Sequence, residues 1–112
     1  LATSYLQLGQ AQAGTSATLL YAVPSGYSAV VSSIVLCNTT NAAATVSVFC
    51  NKAGTTNTAA TALVYNMTVP AYTTQTFTLG ITMAYSTAAD TLYVQGGTNN
   101  AITATAFGSQ IQ

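Results

Sequence analysis

Lys52, Asp90, Cys37, Cys50 and seven tyrosines are the side chains of this 112-residue sequence that could move a proton, attack an electrophile or hold a metal. There is no histidine, and Lys52 and Asp90 are its whole complement of charged residues. General acid–base catalysis needs positioned His, Glu, Asp or Lys side chains, so no paired carboxylates, dyad or triad can be built within one chain. Asp90 follows Ala88-Ala89 and precedes an apolar run, the setting of a turn residue. It could pair with Lys52 of the same or another subunit, and neither role is catalytic. The sequence is read as that of a non-enzyme.

Structural zinc takes about four Cys, His or carboxylate ligands, and Cys37 and Cys50 are the only strong candidates, so neither metal nor cofactor is expected. If the two cysteine-bearing strands form a tight hairpin, Cys37 pairs near Ala44, with Cys50 six positions further along. At about 3.3 Å per residue that is well beyond the reach of a disulfide. Free thiols behaving as small hydrophobes are the expectation, unless the strands sit in different sheets. Nucleic-acid binding rests on phosphate neutralisation by Lys and Arg, which one lysine cannot supply. The tyrosines Tyr5, Tyr21, Tyr27, Tyr65, Tyr72, Tyr85 and Tyr93 suit core or interface positions, where a large ring is buried and the hydroxyl keeps one bond. Two sequons, Asn38-Thr39-Thr40 and Asn66-Met67-Thr68, arise readily in so Asn- and Thr-rich a chain and matter only in a secretory compartment.

Charged residues make up 2% of the sequence, against roughly 25% in ordinary soluble domains. Hydrophobic residues make up 50%, which is incompatible with disorder. The apolar stretch from Ala17 to Cys37 is broken by Pro24-Ser25-Gly26, so it holds no run of about 20 apolar residues, and no membrane span is expected. No basic segment followed by an apolar one opens the sequence, so no signal peptide is expected in it. A surface without charge lacks colloidal repulsion and favours association. That points to a subunit of an ordered assembly, the alternative being a monomer solvated by Thr, Ser, Asn and Gln alone.

The elements that must position these residues are strands. No apolar pattern of period 3.6 is sustained anywhere; short alternating or β-branched runs are separated instead by Gly, Pro, Asn and Ser. Strands are predicted at Ser4–Leu8, Ala17–Val23, Tyr27–Cys37, Ala44–Cys50, Ala62–Val69, Thr73–Leu79, Thr91–Gln95 and Ile102–Phe107. The fold class is therefore all-β: one domain over residues 1–112, an antiparallel β-sandwich of eight strands with jelly-roll or immunoglobulin-like topology. Val23-Pro24-Ser25-Gly26 reads as a β-turn with Pro at its second position. Asn38–Ala43 and Gly96–Asn100 read as hairpin loops.

Thr73–Leu79 has only part of one face apolar, which places it near an edge or an interface. Neutral edges lack the lysines that usually block edge-to-edge pairing, so either neighbouring subunits cover them or the fold closes on itself. Residues 1–12 and 108–112 are expected as arms that reach a neighbour. The candidate interface is Tyr5, Leu6 and Leu8 in the first arm and Tyr72, Thr74 and Thr76 around the Thr-rich strand.

Four segments carry a family resemblance: Leu20-Tyr21-Ala22-Val23-Pro24-Ser25-Gly26, then Val30-Val31-Ser32-Ser33-Ile34-Val35-Leu36-Cys37-Asn38, then Leu79-Gly80-Ile81-Thr82, and last Ala106-Phe107-Gly108-Ser109-Gln110-Ile111. In this order they resemble small virion structural proteins of tailed bacteriophages. The middle of the chain departs from that pattern, with Lys52 alone where relatives have several charges. The resemblance implies a β-sandwich subunit of a phage particle, foremost a capsid decoration or cement protein. Its partners would be the major capsid protein and copies of itself, as in a trimer, with no nucleic acid and no membrane involved.

A tail or fibre subunit is the alternative within the virion. From other classes come an extracellular filament subunit joined by donor-strand exchange through Ser4–Leu8, and a carbohydrate-binding module using exposed tyrosines.

Overall fold

The computed structural model describes residues 2–112; Leu1, the first residue of the expected arm, lies outside them. Eight strands follow in order: β1 (Thr3–Gln12), β2 (Thr18–Ala22), β3 (Ser28–Asn38), β4 (Ala44–Asn51), β5 (Ala62–Val69), β6 (Thr74–Ala84), β7 (Thr91–Gly96) and β8 (Ile102–Ile111). They form two four-stranded sheets, β1-β8-β3-β6 and β2-β7-β4-β5. The first strand pairs with the last, β2 with β7, β3 with β6 and β4 with β5, all antiparallel. That is one long hairpin rolled onto itself, the jelly-roll arrangement; the immunoglobulin-like alternative is excluded.

The core forms because period-2 alternation sends one face of each sheet inward. Ala29, Val31, Ile34 and Leu36 of β3 and Ile102, Ala104 and Ala106 of β8 are buried from one sheet; Val46 and Val48 of β4 and Leu92 and Val94 of β7 are buried from the other. Each fully buried Val, Leu or Ile contributes about 1.5–3 kcal/mol relative to exposure.

The connections differ from the sequence reading. Among the described residues β4 and β5 are the only consecutive strands that pair. The expected Tyr27–Cys37/Ala44–Cys50 hairpin is a crossover between sheets, because buried Asn38 organises the corner. Its Nδ2 donates to the carbonyls of Ala42 (2.9 Å) and Val69 (3.0 Å), and its Oδ1 accepts from Thr40 N (3.0 Å) and Thr40 Oγ1 (2.8 Å). Gly96–Asn100 is likewise a crossover, from β7 to β8. The Pro24 turn lies one residue later than expected, with Tyr27 N donating to Pro24 O at 3.1 Å and Gly26 at φ 84°.

Residues 3–12 and 108–111 are not arms. They are the paired ends of β1 and β8, with Thr3 opposite Ile111 and Gln12 opposite Thr103. Alternation hides this length because bulges interrupt it: Leu8 falls out of register between Gln7 and Gly9, and Ser32 between Val31 and Ser33. On β6 the same line is marked by Leu79-Gly80, between Thr78 and Ile81. The longer sheet therefore bends along a line through Leu8, Ser32 and Leu79-Gly80.

The two edges of the shorter sheet are broken as well, β2 between Leu19 and Tyr21 and β5 between Val64 and Met67, where Asn66 takes φ 48°. Every edge strand thus carries an irregularity, and on the longer sheet these leave Thr3–Gln7 of β1 and Thr74–Thr78 of β6 as regular runs.

Candidate functional site

The outer face of the longer sheet holds most of the residues singled out from the sequence. At one end, beyond the bulge line, Tyr5, Leu6 and Gln7 of β1, Val30 and Ser32 of β3, and Phe107 of β8 line an open groove of about 540 Å³. The bulge is tied across the strands by Ser32 Oγ, which donates to Phe107 O at 3.2 Å. Tyr5 is 86% exposed, and Leu6 and Phe107 are also exposed. No charged residue lines this groove.

At the other end of the face, Thr74, Thr76 and Thr78 stand exposed along the β6 edge, opposite Cys37, Val35 and Ser33 of β3. Tyr72, just before β6, is 73% exposed. Its backbone sits in the left-handed region at φ 53°, and its N–H donates to Thr40 O at 3.1 Å. A bulky residue there is an outlier.

The six expected interface residues therefore fall into two groups at diagonal corners of one sheet, and the chain does not bring them together. Tyr5 shares a row with Ser109, Val30 and Thr82, whereas Thr76 shares one with Val35, Thr105 and Gln10. The rows lie four residues apart along β8, roughly 13 Å at the usual rise. Leu8 departs from the expectation: it is half-buried and packs against the core, because the bulge turns it inward. Phe107 and Val30 were missed. A signal existed in Thr103-Ala104-Thr105-Ala106-Phe107, where a ring replaces threonine on the polar face.

Cys37 and Cys50 are both free. They sit in different sheets, Cys37 half-buried on the outer face beside Thr74 and Thr103, and Cys50 packed against the core. The description of a small buried hydrophobe fits Cys50 and not Cys37. Burial, and secondarily the nearby Asp90 charge, pushes the Cys50 thiol up.

Asp90 is held by three partners. Its Oδ1 accepts from Ala53 N at 2.9 Å and its Oδ2 from Ala84 N at 3.1 Å, while Lys52 Nζ lies 3.6 Å from Oδ2. Burial alone would raise its pKa, but the two backbone donors and the Lys52 ammonium together hold it below the usual carboxylate value.

No protein-family model and no curated protein matches the chain. A solved structure from a study of Bacillus endospore appendages, described there as a family of disulfide-linked pili, is similar with a TM-score of 0.56 and 19% sequence identity. The match covers 99% of this chain and 87% of the other. At that identity the likeness concerns the fold, an eight-stranded all-β domain.

Proposed function

We propose that this chain is a non-enzymatic subunit of an extracellular filament, joined to further copies through the edges of its longer sheet. The observation that carries this reading is the placement of two unbroken, neutral edge runs, Thr3–Gln7 on β1 and Thr74–Thr78 on β6. β1 and β6 are the opposite edges of one sheet and run antiparallel, being separated by three antiparallel pairings. A second copy shifted sideways in the same orientation therefore offers its β1 to the first copy's β6 in antiparallel sense. The contact is head-to-tail, leaves an edge free at each end, and so propagates. Strand twist makes the result helical.

The likeness to a pilus subunit supports an extracellular filament over a capsid decoration protein, whose support is the motif resemblance alone. Donor-strand exchange through Ser4–Leu8 is replaced by edge pairing, since that segment already belongs to β1 and pairs with β8. The pili of the similar structure are disulfide-linked. In these 112 residues Cys37 is the thiol on the outer face, while Cys50 faces the core. One reachable thiol per copy joins copies in pairs but cannot make a continuous covalent chain, so backbone pairing is assigned the longitudinal contact.

The test is negative-stain electron microscopy of the concentrated purified chain, with and without reductant. Filaments are expected in both conditions. Closed rings or monomers at every concentration would overturn the reading.

A further inference from the structure

We infer that Tyr72 is a knob that seats in the Tyr5–Phe107 groove of the next copy, an inference that rests on the filament reading above. Two independent features ask for an explanation. The first is Tyr72 itself, which breaks two local rules at once: its φ of 53° suits Gly or Asn, and its ring is 73% exposed and so gains little burial at home. A strained, unburied aromatic held in place by the surrounding fold is a pointer to function. The second is the groove at the far end of the same face, apolar in its walls and roomy enough at about 540 Å³ for one aromatic ring.

The chemistry of the two matches. The groove is lined by the rings of Tyr5 and Phe107 and by Val30, with Leu6 at its edge and Gln7, Ser32 and Ser109 as polar members. A phenol needs apolar walls and one hydrogen-bonding partner for its hydroxyl, and the Gln7 amide and the hydroxyls of Ser32 and Ser109 are the groups able to serve. A charged side chain would find no counter-ion there. A second copy, whose exposed face is equally neutral, is the occupant that fits.

The geometry also agrees with the proposed edge contact. With the next copy also displaced along the strands by the roughly 13 Å that separates the two rows, Thr76 faces its Tyr5, Thr74 its Gln7 and Thr78 its Thr3. Tyr72 then arrives beside the bulge at Leu8 of the next copy, at the groove's Gln7 end. The β8 strand carrying Phe107 lies two strands from β6 in that arrangement, roughly 10 Å at ordinary spacing, with the tyrosine crossing the intervening strand.

Two measurements on the full chain test this. In the first, a Tyr72→Cys chain and a Gln7→Cys chain, both carrying Cys37→Ser, are mixed and oxidised, and the disulfide products are identified by mass. The mixed 72–7 product is expected to dominate. A dominant 7–7 product would mean that grooves pack on each other, and this result, a dominant 72–72 product or no cross-link would each overturn the knob. In the second, Tyr72→Gly is expected to raise the concentration needed for assembly by roughly tenfold while leaving the melting temperature equal or higher, since the strain is relieved. Tyr72→Phe should assemble nearly as the parent does. Assembly of Tyr72→Gly at the parent's concentration would remove the knob and leave the filament standing. Failure of the parent chain to assemble at all would remove both.

Discussion

Lys52 Nζ lies 3.6 Å from Asp90 Oδ2, so the one cationic side chain of the sequence meets its one carboxylate. The two partners are unequal: the lysine side chain is 71% exposed and the aspartate 8%. Asp90 also receives the backbone N–H groups of Ala53 and Ala84 and so ties the start of the β4–β5 connection to the end of β6. Asp90→Asn leaves one acceptor where two are used and should destabilise the fold by about 1–3 kcal/mol. Lys52→Ala removes an exposed partner and should cost less than about 1 kcal/mol. Urea unfolding of the two variants measures both; equal losses would contradict the asymmetry.

The same inventory predicts how stability varies with pH. The folded pKa of Asp90 is depressed, first against burial and then by the two backbone donors and Lys52. Its contribution is therefore present above the unfolded value of about 3.9 and is lost as pH falls through the folded value. Cys50 is raised by burial and then by Asp90, and Tyr21 is raised by burial, partly offset by its bond from Gln110. For these two the neutral form is favoured in the fold, so stability is present below the unfolded pKa values and falls as pH rises through the folded ones. Without histidine, thermal melts should be flat from about pH 5 to 8, with a single acid decline and an alkaline one. A step near pH 6 would contradict this assignment.

Close approach at the bulge line makes a second contrast. A Cβ on Gly9 would lie 2.0 Å from Leu20 O, whereas one on Gly80 meets nothing within 4 Å. Both positions have an ordinary φ, so space decides the outcome. Gly9→Ala forces β1 away from the backbone of β2 and should destabilise by at least about 1–3 kcal/mol. Gly80→Ala should be neutral or stabilise by up to about 1 kcal/mol through the unfolded chain. Denaturation midpoints distinguish the two, and similar values would show that the bulge line tolerates displacement.

Thiol reactivity follows from the two faces. Cys37 on the outer face should react with a maleimide in the native protein, and Cys50, packed against the core with its thiolate disfavoured, should react only as the fold opens. Mass spectrometry over time under native conditions is expected to show one rapid addition and a second at least about tenfold slower. Simultaneous labelling would place Cys50 outside the core.

The existence of the strands was legible where alternation reports burial directly: Ile102, Ala104 and Ala106 point inward by the same period of two that marks them in sequence. Two things were not legible. Strand length was lost wherever a bulge reset the period, as at Leu8, Ser32 and Leu79-Gly80. Pairing was lost because an Asn-rich connection looks alike whether it closes a hairpin or crosses between sheets; the crossover shows in the pairing of β3 and β4 with different sheets, and four hydrogen bonds of buried Asn38 tie its corner. The candidate contact residues Tyr5, Tyr72, Thr74 and Thr76 were chosen from an expected arm and a Thr-rich strand. Their grouping at opposite corners depends on three successive pairings that no local pattern contains.

That grouping makes the β6 edge the sharpest place to separate assembly from folding. Thr74 and Thr76 are exposed, their side chains accept no structural hydrogen bond among the described residues, and their partners on β3 are Cys37 and Val35. Lysine at both positions puts two like charges on an edge run that otherwise carries none, the usual way in which edges are kept apart. Folding should be nearly untouched, since surface changes of this kind stay within about 0.5 kcal/mol. Assembly should fail at low salt, and partly recover as added salt screens the charges over a Debye length of about 10 Å at 0.1 M and about 3 Å at 1 M. The measurements are the melting temperature and the sedimentable fraction of Thr74→Lys/Thr76→Lys beside the parent. A variant that melts with the parent and still sediments fully at low salt would take β6 out of the contact.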